Sequence, residues 1–181
     1  MTRLFKPPTA RNQGCQNLPR LGGDLGSLFH SQIKGNDMQV QKVGVIGAGQ
    51  MGNGIAQVFA ASGFEVVIRD VSQQALERGV KSIEKSLDRL LAKDKLSAGE
   101  RTATLGRIRT TTGVEALKDA DMVVEAATEN LELKLKIFRE LDEVCQPNAI
   151  LATNTSSISI TKIAGSTNRS GQVIGMHFMN P

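Results

Sequence analysis

Residues 42–70 read KVGVIGAGQMGNGIAQVFAASGFEVVIRD, and this stretch decides the fold. An apolar run, Lys42 to Ile46, is followed by the turn Gly47-Ala48-Gly49-Gln50-Met51-Gly52. A helical pattern with Ile55, Val58 and Phe59 comes next, then a second apolar run from Phe64 to Ile68 that closes on Arg69-Asp70. The order is strand, tight turn, helix, strand, acid.

Each part suits a dinucleotide. Gly47 allows the sharp exit from the strand. Gly49, without a Cβ, lets a pyrophosphate approach the backbone. Gly52 lets the helix lie close to the sheet. The helix N-terminus offers N–H groups and partial positive charge to the phosphates. Asp70 is placed to accept hydrogen bonds from the adenosine ribose, and its charge repels a 2′-phosphate, so NAD is expected rather than NADP. Arg69 beside it softens that preference. A bare glycine motif is weak evidence, but the strand–turn–helix–strand–acid context makes it strong.

Outward from this stretch, the 181 residues fit about one domain of ordinary hydrophobic content. No apolar run approaches the ~20 residues of a membrane span, and Trp and Tyr are absent, which leaves little for base stacking. Of the net charge of +4, residues 1–39 carry +3, so the basic balance is not read as a nucleic-acid footprint. Cys15 and Cys145 form no metal or disulfide pattern, which favours a reducing compartment. The expectation is a cytoplasmic protein with no metal, no nucleic acid and no membrane partner. Residues 1–39, rich in Pro and Gly, read as a disordered or mis-started arm, with a mitochondrial transit peptide as the alternative. His30, within that arm, is given no role.

After Asp70 the pattern predicts a long helix over 72–92, capped by Ser72, with Ala75, Leu76, Val80, Ile83, Leu87, Leu90 and Leu91 on one face. A further helix near 98–107 is capped by Ser97. Then follow a strand Ile108–Thr111, a short helix Val114–Lys118, a strand Asp121–Ala126, a helix Leu131–Val144, a strand Ala149–Thr153, a short helix 158–164 and a strand Val173–Phe178. Alternating strands and helices predict an α/β, Rossmann-type, doubly wound and mostly parallel sheet over residues 40–181, with a long helical excursion after the second strand. Ligands bind outside the carboxyl ends of such strands, where the glycine turn, Asp70, Ala126–Asn130, Asn154–Ser157 and His177 gather.

Four segments, KVGVIGAGQMGNGIAQ, DMVVEAATENLELK, ATNTSSISIT and GMHFMNP, jointly resemble the 3-hydroxyacyl-CoA dehydrogenase family, in particular its bacterial 3-hydroxybutyryl-CoA members, over residues 40–181. The resemblance implies that Gly47, Gly49, Gly52 and Asp70 hold NAD. It implies that Glu129 and Lys134 lie near the nicotinamide side, and that Asn180 touches the cofactor. Ser156 would contact both the nicotinamide and the 3-oxygen of an acyl-CoA substrate. His177 would be the catalytic base, and Ser86 and Lys93 would reach coenzyme A.

Plainer roles stand beside these. Ser156 or Ser157 would cap the next helix, Glu129 would complement a helix N-terminus, and Lys93 would be a solvated lysine. The family adds a helical C-terminal domain, with a glutamate that pairs with the histidine, an asparagine near the substrate and most of a homodimer interface. The expectation is that residues 1–181 alone bind NAD but turn over poorly, with apolar surface left exposed. Two rivals remain: a hydroxyisobutyrate- or phosphogluconate-type hydroxyacid dehydrogenase, against which NTSS and HFMNP argue, and a dinucleotide-binding module without turnover.

Overall fold

The computed structural model describes residues 39–179. Apart from Gln39, the arm lies outside the described residues, as does Asn180. Six strands form one sheet: β1 Lys42–Ile46, β2 Glu65–Arg69, β3 Ile108–Thr111, β4 Met122–Glu125, β5 Ile150–Thr153 and β6 Val173–Gly175. Their spatial order is β3-β2-β1-β4-β5-β6, and every neighbouring pair is parallel. The chain reverses direction of travel between β1 and β4, so the crevice at their carboxyl ends is the switch point where ligands bind in such sheets.

The helices are α1 Gln50–Ala61, α2 Gln73–Leu91, α3 Ala98–Gly106, α4 Leu131–Val144 and α5 Ile160–Ala164, with single 3₁₀ turns at Val114–Leu117 and Ser170–Gln172. Alternation along the strands divides the core between the two faces. Val43, Val45, Val66, Ile68 and Val124 pack with Ile55 and Ala56 of α1 and Leu76, Ile83 and Leu87 of α2. Ile46, Val67, Val123 and Leu151 pack with Ile137, Phe138 and Leu141 of α4 and Ile163 of α5. The long excursion after β2 is α2 and α3.

Caps set the helix starts. Ser72 accepts from the Ala75 N–H, and Ser97 forms a capping box with Glu100. Three expectations change in detail. On α2 the buried stripe is Leu76, Gly79, Ile83 and Leu87, so Gly79 rather than Val80 completes it. On α1, Val58 is 53% exposed, and Ile55, Ala56 and Ala60 carry the inward face. The last strand stops at Gly175 rather than Phe178.

Arg169 closes the C-terminus of α4. Its guanidinium donates to the carbonyls of Asp142, Cys145 and Gln146 and pairs with the Asp142 carboxylate at 2.6 Å. Burial alone would raise the Asp142 pKa, but the Asn168 N–H and Arg169 together hold it below its ordinary value. A depressed folded pKa adds stability above the unfolded value that is lost as pH falls through the folded one. Asp142→Asn should therefore lower stability by about 1–3 kcal/mol near neutral pH, with the gap from the wild type closing below about pH 4, as read from urea midpoints. Cys145 is buried beside this cap, which pushes its thiol up to about 11 and makes it a packing residue.

Candidate active site

At the β1 and β2 ends, the glycine turn has the geometry its residues require. Gly47 has φ +100°, and a Cβ there would lie 2.8 Å from the Ala126 carbonyl. A Cβ on Gly52 would strike the Gly47 carbonyl oxygen, so the close approach is of α1 to the turn itself. Gly49 is exposed, with open space where its Cβ would be. It is the N-cap of α1, with no side-chain cap and no acid in the first turn. Asp70 accepts from the Ala48 N–H at 2.8 Å and the Ser72 N–H at 2.9 Å. A carboxylate offers about four acceptor sites, so two remain for hydroxyl donors. The Arg69 Nε is buried beside it without a hydrogen-bond partner. These groups fit a dinucleotide, with space and dipole for the phosphates and an acid for the ribose. Gly52→Ala should weaken NAD binding at least tenfold by prising α1 from the turn, read by calorimetry.

The other end is built from the loops after β4, β5 and β6. Glu129, just before α4, accepts from the Thr155 hydroxyl at 2.7 Å and the Ser156 N–H at 3.3 Å. Burial works against its charge. The Thr155 hydroxyl, the Lys134 ammonium, the Ser156 N–H and the Ser157 hydroxyl outweigh that and lower its pKa. Glu129 thus ties the β4 loop to the β5 loop, a larger task than favouring a helix N-terminus. Asn130 caps α4.

The serines do not take the capping role expected of them. Neither Ser156 nor Ser157 caps α5; Ser159 does. The Thr155 hydroxyl instead takes the N–H groups of Ser157 and Ile158, which winds the turn tightly and leaves Ser156 exposed.

His177 follows β6 and is also exposed. Its neighbours on both sides are tethered. The Met176 N–H donates to the Thr153 carbonyl at 2.9 Å, and the Phe178 N–H donates to the Asn154 side chain at 2.8 Å. The Phe178 ring packs edge-on against Phe59 of α1 at 6.0 Å. His177 is held by this frame beside the segment carrying Ser156. Sequence reading places Asn154 at the ligand edge within Asn154–Ser157 without giving it a role of its own, and it misses Phe178, which lies inside the motif that carries His177.

Glu125 was missed as well. It ends β4 with no exposure, and Lys134 of α4 is 1% exposed. The Lys134 ammonium sits 2.7 and 2.8 Å from the two Glu125 oxygens. Glu125 also accepts from the Ala127 N–H and the Thr153 hydroxyl. An acid closing an apolar strand, with a lysine nine residues on, was the available signal.

Two candidates lie elsewhere. Ser86 is half-buried on α2, and Lys93 is exposed just past its end. At 1.5 Å per residue, Lys93 is about 30 Å along the axis from the Ser72 cap beside Asp70. No hydrogen bond or ion pair joins either to the loop cluster among the described residues. Among those residues no helix is long and apolar enough to cross a membrane, and no group of three metal-ligating side chains forms.

The chain is similar to known proteins over this same region. A family model described as 3-hydroxyacyl-CoA dehydrogenase, NAD binding domain, matches residues 42–181. A probable 3-hydroxybutyryl-CoA dehydrogenase of Deinococcus radiodurans is 54% identical over 140 residues, 77% of this chain and 50% of that one. A 3-hydroxybutyryl-CoA dehydrogenase of Bradyrhizobium diazoefficiens is 49% identical, over 78% of this chain and 48% of that one. The crystal structure of (S)-3-hydroxybutyryl-CoA dehydrogenase from Ralstonia eutropha superposes with a TM-score of 0.77 at 49% identity, covering 79% of this chain and 50% of that chain. The chain thus spans about half the length of these relatives. With the parallel six-stranded sheet and the glycine turn in place, the match settles the relationship: this chain belongs to the 3-hydroxyacyl-CoA dehydrogenase family and carries its NAD-binding domain.

Proposed function

We propose that this chain supplies the cofactor half and the reactive groups for NAD-dependent oxidation of a 3-hydroxyacyl-CoA, with 3-hydroxybutyryl-CoA as the substrate, or for the reverse reduction. The observation that carries this reading is the double tether that holds His177 beside the Ser156 segment, on the sheet edge shared with Asp70.

NAD, when bound, accepts the hydride. Gly47, Gly49 and Gly52 leave room for its pyrophosphate, and Asp70 takes the ribose. The Ser156 hydroxyl holds the substrate's 3-oxygen, and a ring nitrogen of the His177 imidazole takes the hydroxyl proton. Glu129 fixes the Ser156 backbone. Lys134 acts from below as a positioning residue, since its ammonium is engaged by Glu125. Asn180 is assigned to the cofactor, and Ser86 and Lys93 to coenzyme A, on the family resemblance alone. The active protein is a cytoplasmic homodimer of fatty-acid or butanoate metabolism.

The test exchanges residues 40–181 for the matching half of the Deinococcus radiodurans relative. The chimera should reduce acetoacetyl-CoA with NADH and leave free acetoacetate untouched, while residues 1–181 alone should bind NAD with far slower turnover. A folded, NAD-binding chimera that is inactive on the thioester, or that prefers the free acid, would contradict the reading.

A further inference from the structure

The turn contains a second device besides its glycines. Asn53, in the second turn of α1, is 8% exposed. Its side-chain Nδ2 donates to the Ala48 carbonyl at 3.1 Å, while its Oδ1 is buried without a hydrogen-bond partner. A buried acceptor left unpaired is costly, so stability alone does not account for an asparagine here.

The reason lies in the peptide it grips. The Ala48 N–H is already fixed by Asp70 at 2.8 Å. Asn53 fixes the carbonyl of the same residue. In a trans peptide the C=O of Ala48 and the N–H of Gly49 point in opposite directions. Holding the carbonyl toward Asn53 therefore turns the Gly49 N–H away from α1. That N–H has no partner within the described residues, and Gly49 itself is exposed, with open space where its Cβ would be.

Gly79 of α2 makes the grip possible. A Cβ there would lie 2.5 Å from the Asn53 Oδ1 and 3.3 Å from the Ala48 carbonyl oxygen. This is why a glycine, unfavourable in a helix interior by roughly 0.8–1.0 kcal/mol against alanine, sits in the buried stripe of α2. We propose that Asn53 is a positioning residue for the pyrophosphate: its amide locks the Ala48–Gly49 peptide so that the Gly49 N–H faces the phosphates, and Gly79 provides the space it needs. The proposal rests on the reading that this turn binds NAD.

Calorimetric titration with NAD, ADP and adenosine tests it. Asn53→Ala and the near-isosteric Asn53→Leu should each weaken NAD and ADP about tenfold and leave adenosine, which has no phosphate, within twofold. Gly79→Ala should reproduce that pattern by displacing the amide, and adding Asn53→Ala to it should cost nothing further. A merely structural role would lower the melting temperature but leave the ratio of ADP to adenosine affinity unmoved. Folded Asn53 variants with wild-type ADP affinity, or with adenosine weakened in parallel, would overturn the proposal. Failure of the wild-type chain to bind either NAD or ADP would overturn the cofactor reading and this inference together.

Discussion

Lys134→Met should lower the folding stability by about 3–5 kcal/mol, read as a reduced urea midpoint at unchanged slope. The loss comes from what stays behind. Glu125 has no exposed surface, and among the described residues Lys134 supplies its only positive partner, at 2.7 and 2.8 Å. Without that ammonium the carboxylate retains, among the described residues, the Ala127 N–H and the Thr153 hydroxyl, in a site with no exposed surface. Removing both charges is a different case. Glu125→Leu combined with Lys134→Met should recover most of the stability, because an apolar pair avoids the desolvation that burying two ions requires. The double variant should still bind NAD less tightly. Glu125 is the knot between the loops after β4 and β5, and apolar side chains pack there without directing the Ala127 N–H or the Thr153 hydroxyl. Recovery of both stability and affinity would show that the pair has no positioning role.

His177→Gln in the chimera should reduce kcat by about 10²–10⁴, the usual contribution of a general base, with NAD affinity within twofold of the parent. Glutamine keeps a hydrogen-bonding side chain but cannot take up the hydroxyl proton. The frame around it should survive, because both tethers use the backbone of neighbours, the Met176 and Phe178 N–H groups. Phe178→Ala offers the contrast. It removes the ring that packs against Phe59 and should loosen the frame, so that KM rises along with the fall in kcat. Equal loss of NAD binding and turnover in His177→Gln would assign the imidazole a binding role instead.

Much of this arrangement was legible because it follows from local chemistry. The strand Lys42–Ile46 and the helix Leu131–Val144 fall where apolar periodicity placed them. The sheet edge gathered Asp70, the Ser156 segment and His177 as the alternation of strands and helices requires. What sequence could not reveal depends on partners far along the chain. The resemblance places Lys134 near the nicotinamide and Glu125 closes an apolar strand, but their pairing with each other shows only once α4 is laid on β4. Asn53 and Gly79 are 26 residues apart and make sense only once α1 and α2 pack. The last strand reads as continuing to Phe178 by its apolar run, but the Asn154 side chain takes the Phe178 N–H and ends the sheet pairing early. The capping serine was misplaced for a similar reason. Ser156 and Ser157 have the right chemistry, but the Thr155 hydroxyl and Glu129 already occupy that turn, so the cap falls to Ser159.

The most direct measurement is calorimetric titration of residues 1–181 with NAD and NADP. If the turn is an NAD site, one NAD should bind per chain, with NADP at least tenfold weaker because Asp70 repels a 2′-phosphate, and that gap should close in Asp70→Ser. Absence of NAD binding by the folded chain, or equal affinity for the two cofactors, would contradict this reading.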